Sequence, residues 1–268
     1  MPQYTSAKRR VTIQEICASG FSTPLDAPTV PPFPFGFRNV EVLTLAYRSD
    51  PDKMEYLLPP PLELSGDVVL IHIYKMNDTD WLGPYGEANV MFGAQLPSQQ
   101  VSGAYSPYLY LSSDVGVAHG REIHGQPKKF GLPRLEVRDD AWVATVSRNG
   151  IDVITGTMAY KQKRGDIATL SQLMDFSNNF NLKAIDHIDG TPAIRQLTSR
   201  RLADVVVHEC WEGDCTVELR ANIQAPVYRL PVVEMLSAFY WRADFTLVQG
   251  QVLHDYLVPE SNNNVNHT

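Results

Sequence analysis

The stretch "AWVATVSRNGIDVITGTMAYKQ", residues 141–162, most narrows what this chain can fold into. Two runs of β-branched and apolar residues flank Asn149-Gly150, the strongest short signal for a hairpin turn. The same texture recurs along the chain. "VEVLTLAYR" alternates near its start, "DVVLIHIYKM" is rich in β-branched residues, and "EANVMFGAQL" and "AYSPYLYLSS" also fit strands. "DVVVHECWEGDCTVEL" repeats the hairpin plan, with Glu212-Gly213-Asp214 between its strands. Helical patterns are few: "DPDKMEYLL", with an Asp50 cap and Pro51 in the first turn, and "PVVEMLSAFYW"; the N-terminal tail carries a short amphipathic piece around Val11 to Cys17. No βαβ alternation and no internal repeat occurs. The reading is a β-rich α+β domain, barrel-like or built from a pair of curved sheets.

At 268 residues the chain is long enough to bury a sizeable core as one all-β unit. The proline-dense "STPLDAPTVPPFPFGF" reads as an extended covering segment and not as a linker, because Phe33, Phe35 and Phe37 need burial. Residues 1–20 read as a polar tail, 21–258 as the domain, and 259–268, "ESNNNVNHT" and its approach, as a disordered tail.

A net charge of −7 without a basic tract argues against nucleic acid and acidic membrane surfaces as partners. Cys17, Cys210 and Cys215 are odd in number and lie outside any CxxC or Cys/His cluster, so neither a disulfide framework nor a metal site is expected. Reduced thiols, a start lacking the apolar run of a signal peptide, and no apolar stretch near membrane-spanning length make a cytoplasmic protein the expectation. No GxSxG, Walker loop or GxGxxG is present, which argues against common hydrolases, nucleotide hydrolases and dinucleotide enzymes.

Chemistry centres on "GREIHGQPKKFGLPRLE", residues 120–136. A lysine with an ordinary pKa near ~10.4 is almost wholly protonated at pH 7, so an amine nucleophile needs its pKa depressed. Pro127, Phe130, Leu132 and Pro133 offer an apolar wrapping that could desolvate Lys128, and Lys129 is an adjacent cation. In an extended segment the two lysines face opposite ways, which makes desolvation the stronger cause. Spacing alone favours a solvated turn, since lysines are rarely fully buried. Glu87 opens a strand after the turn-rich "MNDTDWLGPYGE": it is a proton-handling carboxylate or a solvated edge residue. His72, mid-strand in "VVLIHIY", shares a face with Leu70 and Tyr74 and reads as a hydrogen-bonded core histidine or a catalyst. His119, His124 and His208 lack metal-ligand spacing.

"GREIHGQPKK" followed by Gly131-Leu132-Pro133 resembles the lysine motif of the acetoacetate decarboxylase family. "STPLDAP", "YRSDPDKMEYLLPPPLEL", "MNDTDWLGPYGE", "GTMAYKQK", "IDGTPAIRQL", "DVVVHECWEG" and the final "DYL" follow in the family's order, over roughly residues 21–257. The resemblance implies a curved, mostly antiparallel sheet forming a cone-like barrel with few short helices, and homo-oligomers. It implies that Lys128 is the Schiff-base lysine, Lys129 its basic neighbour tuning its pKa, and Glu87 an acid of the cavity. Lysine activation is an established property of that family. The implied activity is a Schiff-base lyase on a small keto acid, first of all a β-keto acid decarboxylase needing no metal or organic cofactor. The alternatives are an aldolase-dehydratase, an isomerase or cyclase of an enolisable ketone, or a non-catalytic binder of small carbonyl compounds. Two positions depart from the family: Val40 stands where its decarboxylases carry an arginine, and His72 where they carry an acid. Arg38 would share a face with position 40 in a regular strand and could compensate. His124 and Gln126, just before the lysine, are expected in the pocket.

Overall fold

The computed structural model describes residues 11–18, 23–29 and 32–258. The expected tail at 259–268 lies outside the described residues, as does most of 1–20. Strands dominate. After α1 (Ile13–Ala18) come β1 (Phe35–Arg48), α2 (Pro51–Glu55), β2 (Glu63–Met76), β3 (Asp78–Thr79), β4 (Tyr85–Leu96) and β5 (Val101–Leu111). Next, α3 (Asp114–His119) and a π-turn at Gly120–His124 lead into β6 (Lys128–Phe130). β7 (Leu132–Arg138), β8 (Ala141–Arg148), β9 (Ile151–Ala159), β10 (Lys163–Arg164) and α4 (Ile167–Leu173) follow. The chain continues through β11 (Asn178–Asp186), β12 (Pro192–Gly213), β13 (Cys215–Leu219), β14 (Glu234–Leu247) and β15 (Gln251–Asp255).

The larger sheet runs β10-β12-β11-β5-β4-β2-β1-β14, and β14 pairs back onto β12. Its order therefore returns on itself: the sheet is curved and partly closed into a ring. Closure matters because an unpaired strand edge is a template for aggregation. Pairing is antiparallel except where β5 meets β11 and β6. A second, four-stranded antiparallel sheet, β13-β9-β8-β7, packs on its outside. Trp142 of β8 stacks on Tyr240 of β14 at 4.3 Å and 15°, an aromatic contact worth about 1 kcal/mol beyond its area. The two layers approach so closely that a Cβ at Gly156 would stand 2.3 Å from Leu45 Cδ1. Phe35 and Phe37, from the proline-dense segment, are buried, and Phe33 packs partly against the same core.

Two local expectations hold for the reasons given. Asn149 and Gly150 both take positive φ, 55° and 75°, and turn β8 into β9. The Asp50 side chain accepts from the Asp52 amide at the start of α2. Two others are corrected. "PVVEMLSAFYW" is not a helix: from Glu234 onward it is β14, hydrogen bonded along both edges, to β1 and β12. A strand paired on both sides in a closed sheet is apolar in a continuous run, which periodicity cannot tell from a buried helix. Of Glu212-Gly213-Asp214, only Asp214 lies between two strands, and those strands do not pair with each other. β12 stays in the ring while β13 crosses to pair with β9.

Candidate active site

Alternation along β2 and β4 builds one wall. Tyr74 lies opposite Glu87, and His72 opposite Asn89, so all four share the face inside the ring. β6 adds the lysine. It pairs in parallel with β5, Lys128 against Leu109 and Lys129 against Tyr110, and the period of two sends the two side chains to opposite faces. Lys128 is 7% exposed, and its Nζ donates to Glu87 Oε2 at 3.1 Å. Lys129 points outward, where its Nζ donates to the Gln224 carbonyl and side-chain oxygens at 3.1 and 3.3 Å.

The α3–π-turn segment seats the amine. Ser113 caps α3 by accepting from Gly116 N–H, and the chain leaves the π-turn through Gly125 at φ 78°. Gly125 also lies against the Lys183 backbone, where a Cβ would stand 2.5 Å from Lys183 Cα. Gly120 leaves room for the lysine stem: a Cβ there would stand 2.3 Å from Lys128 Cδ and 2.6 Å from Cε. The result is a cavity of about 40 Å³ holding Lys128, Glu87, Gln126, His119 and Arg200 among apolar walls that include Phe35 and Phe245. That space suffices for a few water molecules.

The electrostatics are set by burial. Desolvation lowers the Lys128 pKa; Glu87 opposes that shift and the Arg200 guanidinium adds to it. Lys129 is not among the groups acting on Lys128. The tuning expected of Lys129 therefore comes instead from burial and from Arg200, whose Nε is buried and unpartnered. Burial also pushes His119 down to about 3, with Lys128 and Arg200 adding to the shift, so its imidazole is neutral near pH 7. The Nε2 of His119 and of Gln126 have no hydrogen-bond partner. Both are free for a bound molecule.

The remaining expected residues lie elsewhere. Arg38 and Val40 do not share a face, because a register shift between Phe37 and Val40 and a left-handed Asn39 (φ 51°) break the alternation of β1. Arg38 turns out to solvent and binds Asp78 and Asp80, each at 2.7 Å. It does not compensate for the missing arginine at position 40. Val40 is fully buried but does not line the lysine cavity. His72 is fully buried beside that cavity, not in it. Its Nδ1 bonds the Tyr74 hydroxyl at 3.2 Å, its ring packs on Phe176, and burial pushes it down to about 3. His124 packs against His119 and Phe33 and lines a separate cavity with Lys183; burial, chiefly, pushes it down to about 2.

Arg200 was not singled out by sequence reasoning, and His119 was weighed there only as a metal ligand. Arg200 sits in "TSRRLAD", where tandem arginines read as a solvated face. The available signal was the strand itself: alternation puts Thr198, Arg200 and Leu202 together, as it separates Lys128 from Lys129.

The profile described as "Acetoacetate decarboxylase (ADC)" matches residues 22–257. An acetoacetate decarboxylase 2 of Mesorhizobium japonicum is 38% identical over 240 residues, 90% of this chain and 91% of that protein. An acetoacetate decarboxylase of Paraburkholderia phytofirmans is 36% identical over 251 residues, 93% of this chain and 98% of that protein. A solved acetoacetate decarboxylase structure superposes with a TM-score of 0.86 at 34% identity, over 92% of this chain and all of that one.

Proposed function

The chain belongs to the acetoacetate decarboxylase family, and from that premise we propose that it decarboxylates a β-keto acid through an iminium on Lys128. The observation that carries the proposal is the buried amine of Lys128, 3.1 Å from Glu87 and depressed in pKa by desolvation. Lysine activation by desolvation or a neighbouring cation is an established property of this family.

The neutral Lys128 amine attacks the ketone carbon. The alkoxide formed on attack takes a proton from solvent; Glu87, within hydrogen-bond reach, takes the proton the nitrogen sheds and returns it to the resulting hydroxyl, so water leaves and an iminium forms. The bond to the carboxylate then breaks. Its electron pair flows into the iminium, carbon dioxide departs, and an enamine remains. Protonation at the enamine carbon and hydrolysis release the ketone and regenerate the amine. No step needs a metal or an organic cofactor. Gln126 and neutral His119 supply uncharged hydrogen-bonding groups that leave the cation of the intermediate as the cavity's sink for electrons. Val40 and His72, the positions that keep aldol condensation open at the level of sequence, do not line the lysine cavity.

The same reading takes the protein as a cytoplasmic homo-oligomer. No helix among the described residues is long and apolar enough to cross a membrane. Exposed Phe130, Leu132, Val137 and Ile151 give β6 to β9 apolar surface suited to self-association.

The test is release of carbon dioxide from small β-keto acids. The wild-type chain releases it, and Lys128→Arg, with an unchanged circular dichroism spectrum, does not. Equal turnover by the folded Lys128→Arg protein would refute the role of Lys128.

A further inference from the structure

A second, larger cavity lies beside the first. It measures about 270 Å³ and shares Tyr74, Arg200, Leu202 and Phe245 with the lysine cavity. Its other walls include apolar Met91 and Trp241 from the ring strands, Phe176 from the turn after α4, and Ile167 from α4. Ser171, Ser177 and Asn179 also line it but donate hydrogen bonds within the protein; two other polar side chains donate none among the described residues. The Arg200 guanidinium has no hydrogen-bond or ion-pair partner among the described residues, and its Nε is fully buried. The Asn89 side chain lines the same cavity; its Oδ1 is buried and unpartnered, and its Nδ2, the donor a carboxylate requires, makes no hydrogen bond among the described residues.

A buried guanidinium without a partner is costly, and such groups are otherwise found paired. A planar fork of donors between two cavities is matched to a carboxylate. The carboxylate it holds cannot be the one that leaves. A guanidinium on the departing group stabilises a charge that vanishes as carbon dioxide forms, so it favours the ground state over the transition state. On a carboxylate that stays, the same contact is made equally in both states and only improves binding.

We propose that Arg200 and Asn89 form a subsite for a second, retained carboxylate, so that the preferred substrate is a keto dicarboxylic acid. One carboxylate leaves from the Lys128 iminium. The other lies against Arg200, and the short methylene chain between them runs along the apolar walls. This inference rests on the Schiff-base reading of Lys128.

The experiment compares three β-keto acids as substrates: acetoacetate, 3-oxohexanoate and 3-oxohexanedioate. The last two have the same length and differ in the terminal charge. The readout is the ratio of kcat/KM for 3-oxohexanedioate to that for 3-oxohexanoate, in which any change in Lys128 itself cancels. The wild-type ratio exceeds ten. Arg200→Gln lowers it about a hundredfold, mainly through KM, as expected for removing one partner of a desolvated charge pair. Arg200→Lys restores part of it. A wild-type ratio near one, or an Arg200→Gln protein that loses activity on all three acids alike, would overturn the proposal while leaving the Lys128 chemistry standing. Release of carbon dioxide from none of the three would sink the Schiff-base reading, and the subsite with it.

Discussion

At the scale of the residue, the site is a contest over one proton on Lys128. Burial and Arg200 disfavour the ammonium, and Glu87 favours it. Removing a partner therefore moves the pKa in a defined direction. In the profile of kcat/KM against pH, activity rises as the amine loses its proton. Arg200→Gln raises the pKa and shifts that rise to higher pH, whereas Glu87→Gln lowers the pKa and shifts it to lower pH. Lys129→Ala shifts it far less, because its amine lies on the other face against Gln224. Shifts of the same sign from Arg200→Gln and Glu87→Gln would contradict this account. Lys128 was legible through its family-like motif, because wrapping and spacing alone favour a solvated turn and the period of two says only that one of the two lysines can face inward. Its partner cation was not. Adjacent Lys129 looked suited to that part, but proximity in sequence puts it on the wrong face, and Arg200 arrives from β12, 72 residues later by number.

At the scale of the element, the π-turn and the glycines around it convert a strand-rich scaffold into a seat for the amine. Gly120→Ala places a methyl on the lysine stem. It lowers kcat about a hundredfold, since misplacing a reacting group by about 1 Å has that effect, while thermal stability changes little. Gly125→Ala does the reverse of that balance: a positive φ and a clash with the Lys183 backbone cost at least about 2 kcal/mol of stability, read from urea unfolding. Sequence pattern captured the elements whose signals are local, such as the Asn149-Gly150 turn and the Asp50 cap. It failed where the fold decides. β14 is apolar on successive residues because it is hydrogen bonded on both edges, and the strands either side of Asp214 belong to different sheets. The bulge at Asn39 likewise has no strong local signal, yet it alone turns Arg38 away from Val40.

At the scale of the whole molecule, the partly closed ring buries three neutral histidines, His72, His119 and His124, each pushed well below an ordinary imidazole by desolvation. The unfolded chain protonates them near pH 6.5 and the folded chain does not until far lower pH. Stability is therefore full above that pH and falls as the solution is acidified below it. Each histidine costs about 1 kcal/mol between pH 6.5 and 5.5, before most carboxylates titrate. Urea midpoints across that interval show the loss, and His72→Gln removes roughly one histidine's share of the slope; an unchanged slope would contradict burial of a neutral ring. The central claim, an iminium on a buried lysine, is tested most directly by reducing the protein with borohydride in the presence of a β-keto acid and locating the adduct by peptide mass. The account predicts a substrate-dependent alkyl adduct on Lys128 and on no other lysine. No adduct, or one on Lys129 or on surface lysines alone, would contradict it.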